Sequence, residues 1–177
     1  MHRVVITGGP GAGKTALIGE LGRRGFATVG ESARAVIAER LAQGLPPRPE
    51  PESFAREILR RDMEKYAAPR AAGVVFYDRS AVEALGGVNA AAPMREPDLQ
   101  AQLDTLKFHQ LVFVLPPWKA IYRTDAERDH TFEHAQRVHG EIVRWYVRCG
   151  YRIDEVPCLP VEQRAEHVLR SLGIGGA

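Results

Sequence analysis

Apolar residues in this chain come in short unbroken runs, separated by longer stretches where they recur every three or four positions. The runs are 3–7 (RVVIT), 26–29 (FATV), 74–77 (VVFY), 111–115 (LVFVL) and, more weakly, 152–156 (RIDEV). Their length and β-branched content fit strands buried on both faces. The spacing predicts helices over 14–24, 32–43, 53–68, 131–148 and about 161–172. In the third, Phe54, Ile58, Leu59, Met63 and Tyr66 form one stripe; in the fourth, Phe132, Ala135, Val138, Ile142 and Trp145 do. Strands alternating with helices predict parallel pairing, and so an α/β protein: a three-layer α/β/α sandwich. Loops are expected at 44–51 (GLPPRPEP), where four prolines exclude helix and central strand, and at 86–93 (GGVNAAAP), which reads as small and flexible. A third, 115–130 (LPPWKAIYRTDAERDH), opens with two prolines and is dense in charge. No repeat or boundary divides the chain, so residues 1–177 are read as one domain.

Composition narrows the partners. A chain of 177 residues with 45% hydrophobic and 26% charged positions can build an ordinary core. A net charge of +2, with arginine pairs such as Arg23–Arg24 and Arg60–Arg61 scattered along helices, is no footprint for nucleic acid. No stretch approaches 18 apolar residues, so no membrane partner is expected, and the N-terminal apolar run is too short for a secretion signal. Cys149 and Cys158 have no metal or redox spacing. Free thiols in a reducing cytoplasm are the expectation.

The chemistry is concentrated at the ends of the strands. Residues 8–15, GGPGAGKT, fit G-x-x-x-x-G-K-[ST] between a strand and a helix. Backbone N–H groups must turn inward there to meet phosphate oxygens, which requires chain without side chains; Gly8, Gly9, Gly11 and Gly13 meet that demand. The nucleotide contacts expected are Gly8, Gly9, Pro10, Gly11, Ala12, Gly13, Lys14, Thr15 and Ala16, with Lys14 on the β- and γ-phosphates and Thr15 on Mg²⁺. Asp78 ends the third apolar run and fits a second Mg²⁺ ligand; Arg79 beside it fits a fork for a second substrate. Glu31 ends the second run and fits a base that takes a hydroxyl proton, with Asp78 the alternative base and Arg34 on the same helix face. Arg123 and Arg128 lie in the charged segment, where they could close over a nucleotide and neutralise developing charge.

Together GGPGAGKT, GESAR (30–34), the YDRS strand end and PW…YRTDAER resemble one family over roughly residues 2–170: the AAA-domain group of P-loop proteins that contains ribosylnicotinamide kinase-like domains, close to the nucleoside and nucleotide kinases. The resemblance implies a five-stranded parallel sheet of order 2-3-1-4-5 and a lid at about 116–130. It also implies an acid-Arg-Ser triplet at Asp78-Arg79-Ser80, a glutamate at Glu31, and lid positions at Pro117-Trp118 and Arg128.

A competing pattern, HTFEH at 130–134, fits H-x-x-E-H and could place His130 and His134 on zinc with a later acid such as Glu155, Glu162 or Glu166. Its position beside a P-loop lid argues for solvated histidines instead. Trp118 is read first as packing, with stacking on a base as its functional alternative. Two functions follow. One is an ATP- and Mg²⁺-dependent kinase acting on a nucleoside-like or other hydroxyl-bearing small-molecule acceptor, with Glu31, Arg34 and Arg79 on the acceptor. The other is a nucleotide-binding regulatory ATPase or GTPase module acting through a protein partner; the absence of N-K-x-D disfavours a GTPase.

Overall fold

The computed structural model describes residues 2–70, 72–122 and 131–174. Five strands, β1 (His2–Gly8), β2 (Ala27–Val29), β3 (Val74–Asp78), β4 (Leu111–Leu115) and β5 (Arg152–Glu155), form one sheet in the order β2-β3-β1-β4-β5. All four pairings are parallel. Among the described residues the helices are α1 (Lys14–Arg23), α2 (Ser32–Ala42), α3 (Pro51–Ala67), α4 (Ala81–Ala91), α5 (Glu96–Asp104), α6 (Phe132–Arg148) and α7 (Val161–Ser171). The strand order is the one the resemblance implies, and the α/β/α layering is the one the alternation of strands and helices predicts.

The pleat divides the core. Val4 and Ile6 face one side, where Leu17 and Leu21 of α1 and Val168 and Leu169 of α7 meet them, with Phe76, Phe113 and Leu115 from the neighbouring strands. Val5, Val112 and Val114 face the other, against Ala81 and Val82 of α4 and Ile142 and Tyr146 of α6. Each valine, leucine, isoleucine or phenylalanine among them, fully removed from water, contributes roughly 1.5–3 kcal/mol. β1 lies between β3 and β4, so the chain leaves it first to one side and later to the other. The crevice beyond its carboxyl end is therefore the topological switch point, where ligands bind in such sheets.

α3 is built differently. None of its residues is fully buried. It lies mainly along α4, with Leu59 and Tyr66 at the edge of the second core and Tyr66 against the Phe108 ring, while Phe54 and Ile58 line open space. It starts at Pro51, earlier than the spacing predicts, because Glu50 caps it by accepting from the Glu52 and Ser53 N–H groups, each at 3.0 Å, and proline suits the first helical position.

The segment 86–93 is not the flexible loop its glycines suggest. Through Ala91 it belongs to α4, whose N-terminus Ser80 caps by accepting from the Glu83 N–H at 3.4 Å. Gly86 is there for contact: a Cβ would lie 2.6 Å from Trp145 Cε2, and the Trp145 indole donates to the Val82 carbonyl at 2.8 Å. A Cβ on Gly87 meets nothing within 4 Å. Gly86→Leu is therefore expected to destabilise by about 1–3 kcal/mol through overpacking. Gly87→Ala is expected to be neutral or to stabilise by up to about 1 kcal/mol through helix propensity. Chemical denaturation followed by tryptophan fluorescence separates the two; equal effects would refute the packing role of Gly86.

Candidate active site

β1 ends at Gly8, and after five intervening residues α1 opens at Lys14 with Gly13 as its N-cap and no side chain capping the first turn. Unsatisfied N–H groups at a helix start attract anions. Lys14 is 6% exposed, and its Nζ donates to the Gly8 and Gly9 carbonyls at 3.1 and 3.0 Å. Burial, then repulsion from Arg79, lowers its pKa to about 8, against the pull of Glu31, Asp78 and Glu83. Pro10 is half-buried and Ala12 buried, while Thr15 and Ala16 are exposed at the mouth. Thr15 Oγ1 accepts from Arg34 Nη1 at 3.3 Å.

The cradle is clasped from outside at two left-handed glycines. At Gly11 (φ 75°) a Cβ would lie 2.5 Å from the Tyr122 ring; at Gly13 (φ 85°) it would lie 2.9 Å from Arg164 Nη1. Arg164, on α7, is 6% exposed, donates to the Gly13 carbonyl at 3.4 Å, and carries its guanidinium 5.8 Å from the centroid of the Trp118 ring. Its burial lowers its pKa.

Arg79 is the hub. Its backbone is left-handed (φ 68°), a strained state for a side-chain-bearing residue. From there Nε donates to Glu31 Oε1 at 2.9 Å, Nη1 to Glu83 Oε1, and Nη2 to the Gly8 carbonyl at 3.2 Å. Glu83 also accepts from the buried Thr7 hydroxyl. Burial opposes the Arg79 charge, but Glu83, Glu31 and Asp78 outweigh it, so its pKa rises and it stays protonated. Burial likewise works to raise the Glu31 pKa, yet Arg79 and Lys14 more than reverse this, and Glu31 titrates below its ordinary value. Asp78 goes the other way: burial raises it to about 6 despite Lys14. Its Oδ1 is buried and has no hydrogen-bond partner among the described residues. A buried carboxylate oxygen left without a partner is costly, and a cation bound there would satisfy it. The Asp78 carboxylate and the exposed Thr15 hydroxyl are oxygen donors of the kind that suits Mg²⁺.

Two cavities meet at this hub. The first, about 400 Å³, is lined by the loop from Pro10 to Ala16 and by Glu31, Arg34, Arg48, Arg79 and His134 among others. The second, about 300 Å³, lies beneath α3 and is lined by Glu31, Phe54, Ile58, Asp62, Arg79 and Glu83 among others. Asp62 accepts from the Ser32 hydroxyl; burial raises its pKa to about 6. Lys65 holds the same corner, donating to the Gly30 carbonyl at 2.6 Å and Ser32 Oγ at 2.8 Å.

The structure brings the loop, Glu31, Arg34 and Arg79 to the first cavity, with Asp78 lining neither. Arg123, Arg128 and His130 lie outside the described residues. His134 lines the first cavity, and among the described residues no group of three or more His, Cys, Asp or Glu could hold a metal ion by itself. Sequence reasoning missed Thr7, Arg48, Asp62, Glu83 and Arg164. Glu83 had a signal: Ser80-Ala81-Val82-Glu83 is the S-x-x-E capping-box pattern, and it lies four residues after Arg79. Removing Glu83 leaves Arg79 short of one carboxylate and Thr7 without its acceptor. Glu83→Ala should lower unfolding free energy by about 3 kcal/mol, measured by urea denaturation; a loss below about 1 kcal/mol, the value of an exposed pair, would show the network to be incidental.

A family model described as "AAA domain" matches residues 3–164. No curated protein sequence matches the chain. Among solved structures, deoxyadenosine kinase from M. mycoides with bound dATP superposes with a TM-score of 0.62 at 15% identity, over 97% of this chain and 99% of that one. The NadR protein in complex with NR gives 0.71 at 19%, over 99% of this chain and 53% of that one. Thymidylate kinase from Candida albicans gives 0.56 at 9%, over 97% and 91%. At these identities the likeness is one of fold. The family match runs from the first strand into the last helix, and the chain belongs to the AAA-domain family.

Proposed function

We propose that the protein is an ATP- and Mg²⁺-dependent small-molecule kinase whose acceptor is nucleoside-like or another hydroxyl-bearing compound. The observation that carries this reading is the junction: Glu31, Ala33, Phe54 and Arg79 line both cavities, so a phosphate donor in one and an acceptor in the other would meet at Glu31. Fold neighbours named as deoxyadenosine and thymidylate kinases support the same reaction class.

The linings differ in charge. The first cavity sets Lys14, Arg34, Arg48 and Arg79 against Glu31; the second sets Glu31, Asp62 and Glu83 against Arg79. Polyphosphate suits the first. The second repels anions, which favours a free alcohol over a phosphate monoester as acceptor.

In this reading Lys14 and the start of α1 orient the β- and γ-phosphates, and Thr15 and Asp78 would hold Mg²⁺, which neutralises charge on the phosphates when bound. The acceptor oxygen forms its bond to the γ-phosphorus as the bond to the ADP oxygen breaks, and its proton passes to Glu31. Glu31 titrates low, which suits a loose transition state in which the base mainly orients the hydroxyl and receives its proton late. Arg34 and Arg79 position the reacting groups, and Arg123 and Arg128 are assigned to cover them.

ADP release should be measured with Mg²⁺-ATP across a panel of nucleosides, their 5′-monophosphates and small alcohols, with Lys14→Ala as the blank. One unphosphorylated acceptor should raise turnover about a hundredfold, or about 2.7 kcal/mol of barrier, and monophosphates should not. Tight ATP binding with no stimulation by any acceptor would move the regulatory module ahead. The pH profile of kcat/KM for ATP, which reports the free enzyme, should be bell-shaped. Below about 6 Asp78 takes up a proton and loses the charge that suits a metal ion; above about 8 Lys14 loses its proton and its hold on phosphate. A flat profile between pH 5 and 9 would remove both groups from nucleotide binding.

A further inference from the structure

The proline-rich loop between α2 and α3 is anchored at both ends. On the α2 side, Gly44 turns left-handed (φ 71°), the Leu45 N–H donates to the Arg40 carbonyl at 2.9 Å, and Arg40 Nε reaches forward to the Pro46 carbonyl at 2.7 Å. On the α3 side, the Glu50 cap holds the first turn. Only Pro47, Arg48 and Pro49 lie between the two anchors, and the prolines restrict φ on either side of the arginine. Arg48 is half-buried and lines the first cavity together with Lys14, Thr15 and Arg34. Six residues downstream, Phe54 lines both cavities, so the element that follows this loop borders their junction.

We propose that Arg48 is a phosphate-contacting residue, held by the proline loop so that its guanidinium pairs with the terminal phosphoryl group of a nucleoside triphosphate in the P-loop cavity. The assignment rests on reading that cavity as a triphosphate site. The P-loop N–H groups and Lys14 approach the β- and γ-phosphates from the side of β1 and α1. Arg48 comes from a separate element, so it adds a second, independent direction of contact. A planar guanidinium can fork onto two phosphoryl oxygens. A loop already restricted by proline loses little conformational freedom when it makes that contact. A diphosphate does not present this group, so the contribution of Arg48 is specific to the triphosphate.

The test is equilibrium titration of Mg²⁺-ADP and of the Mg²⁺ complex of a non-hydrolysable β,γ-imido ATP analogue into the wild-type chain and the Arg48→Ala, Arg48→Lys and Lys14→Ala variants. Arg48→Ala should weaken the triphosphate analogue about tenfold or more and ADP by less than about twofold, and Arg48→Lys should recover part of the loss. Arg48→Gln, which preserves the stem, carries the same comparison if the alanine variant melts lower than wild type. Equal losses for the two nucleotides, or no loss for either, would overturn the assignment. If both nucleotides bind in a Lys14-dependent way and Arg48 variants bind like wild type, the triphosphate site stands and only Arg48 falls. Failure of the wild-type chain to bind either nucleotide would bring down both.

Discussion

The guanidinium of Arg79 joins segments that the sheet alone leaves separate. It ties Glu31 at the end of β2, Glu83 in the first turn of α4 and the Gly8 carbonyl at the end of β1. Charge-assisted bonds in a partly buried site resist displacement more than surface pairs do. A left-handed backbone at a non-glycine residue costs about 1–3 kcal/mol, and the three contacts are what hold it. The same side chain sets the electrostatics: it draws Glu31 below its ordinary titration range and disfavours the charge on Lys14. One side chain thus bears on both position and protonation at the junction, acting on Lys14 after burial and on Glu31 together with Lys14.

That junction also divides opposite charge over a short path. Arginines and a lysine gather on the P-loop side and carboxylates on the α3 side. Neither set could be moved far without losing its partners, because Arg79 belongs to both. The helix above the acidic cavity is the one that buries no residue completely. Its apolar stripe is covered in part by open volume, and an element with few fully buried contacts opens at lower cost than the core beneath it.

Much of this was legible from residue order. The apolar runs mark the three inner strands, β1, β3 and β4, within a residue or two, because strands covered on both faces have no polar side to interrupt them, while the edge strands β2 and β5 give a shorter or weaker signal. The P-loop was legible because its glycines, Lys14 and Thr15 are local in sequence and each has a separate physical reason. α4 was not, since Gly86 and Gly87 read as loop residues unless Trp145, far along the chain, is known to lie against the first of them. With 86–93 read as loop, the S-x-x-E pattern that opens α4 and puts Glu83 one turn beyond Arg79 is easily passed over. Asp62 and Arg48 carry no local signature; what distinguishes them is the cavity each lines, and that depends on how α2 and α3 fold back over the sheet. α5 was missed because its few apolar positions leave a single buried side chain, Leu99.

The clasp on the P-loop has a consequence for how the site comes into being during synthesis. The glycine loop leaves the ribosome more than a hundred residues before the parts pressed against it: Tyr122 on Gly11, the Ala135 carbonyl where a Gly9 Cβ would point, and Arg164 on Gly13. A nascent chain can complete β1 and α1 long before these supports exist. The anion cradle is thus made well before it is finished in space, and a chain ending before Arg164 has the motif without its outer wall.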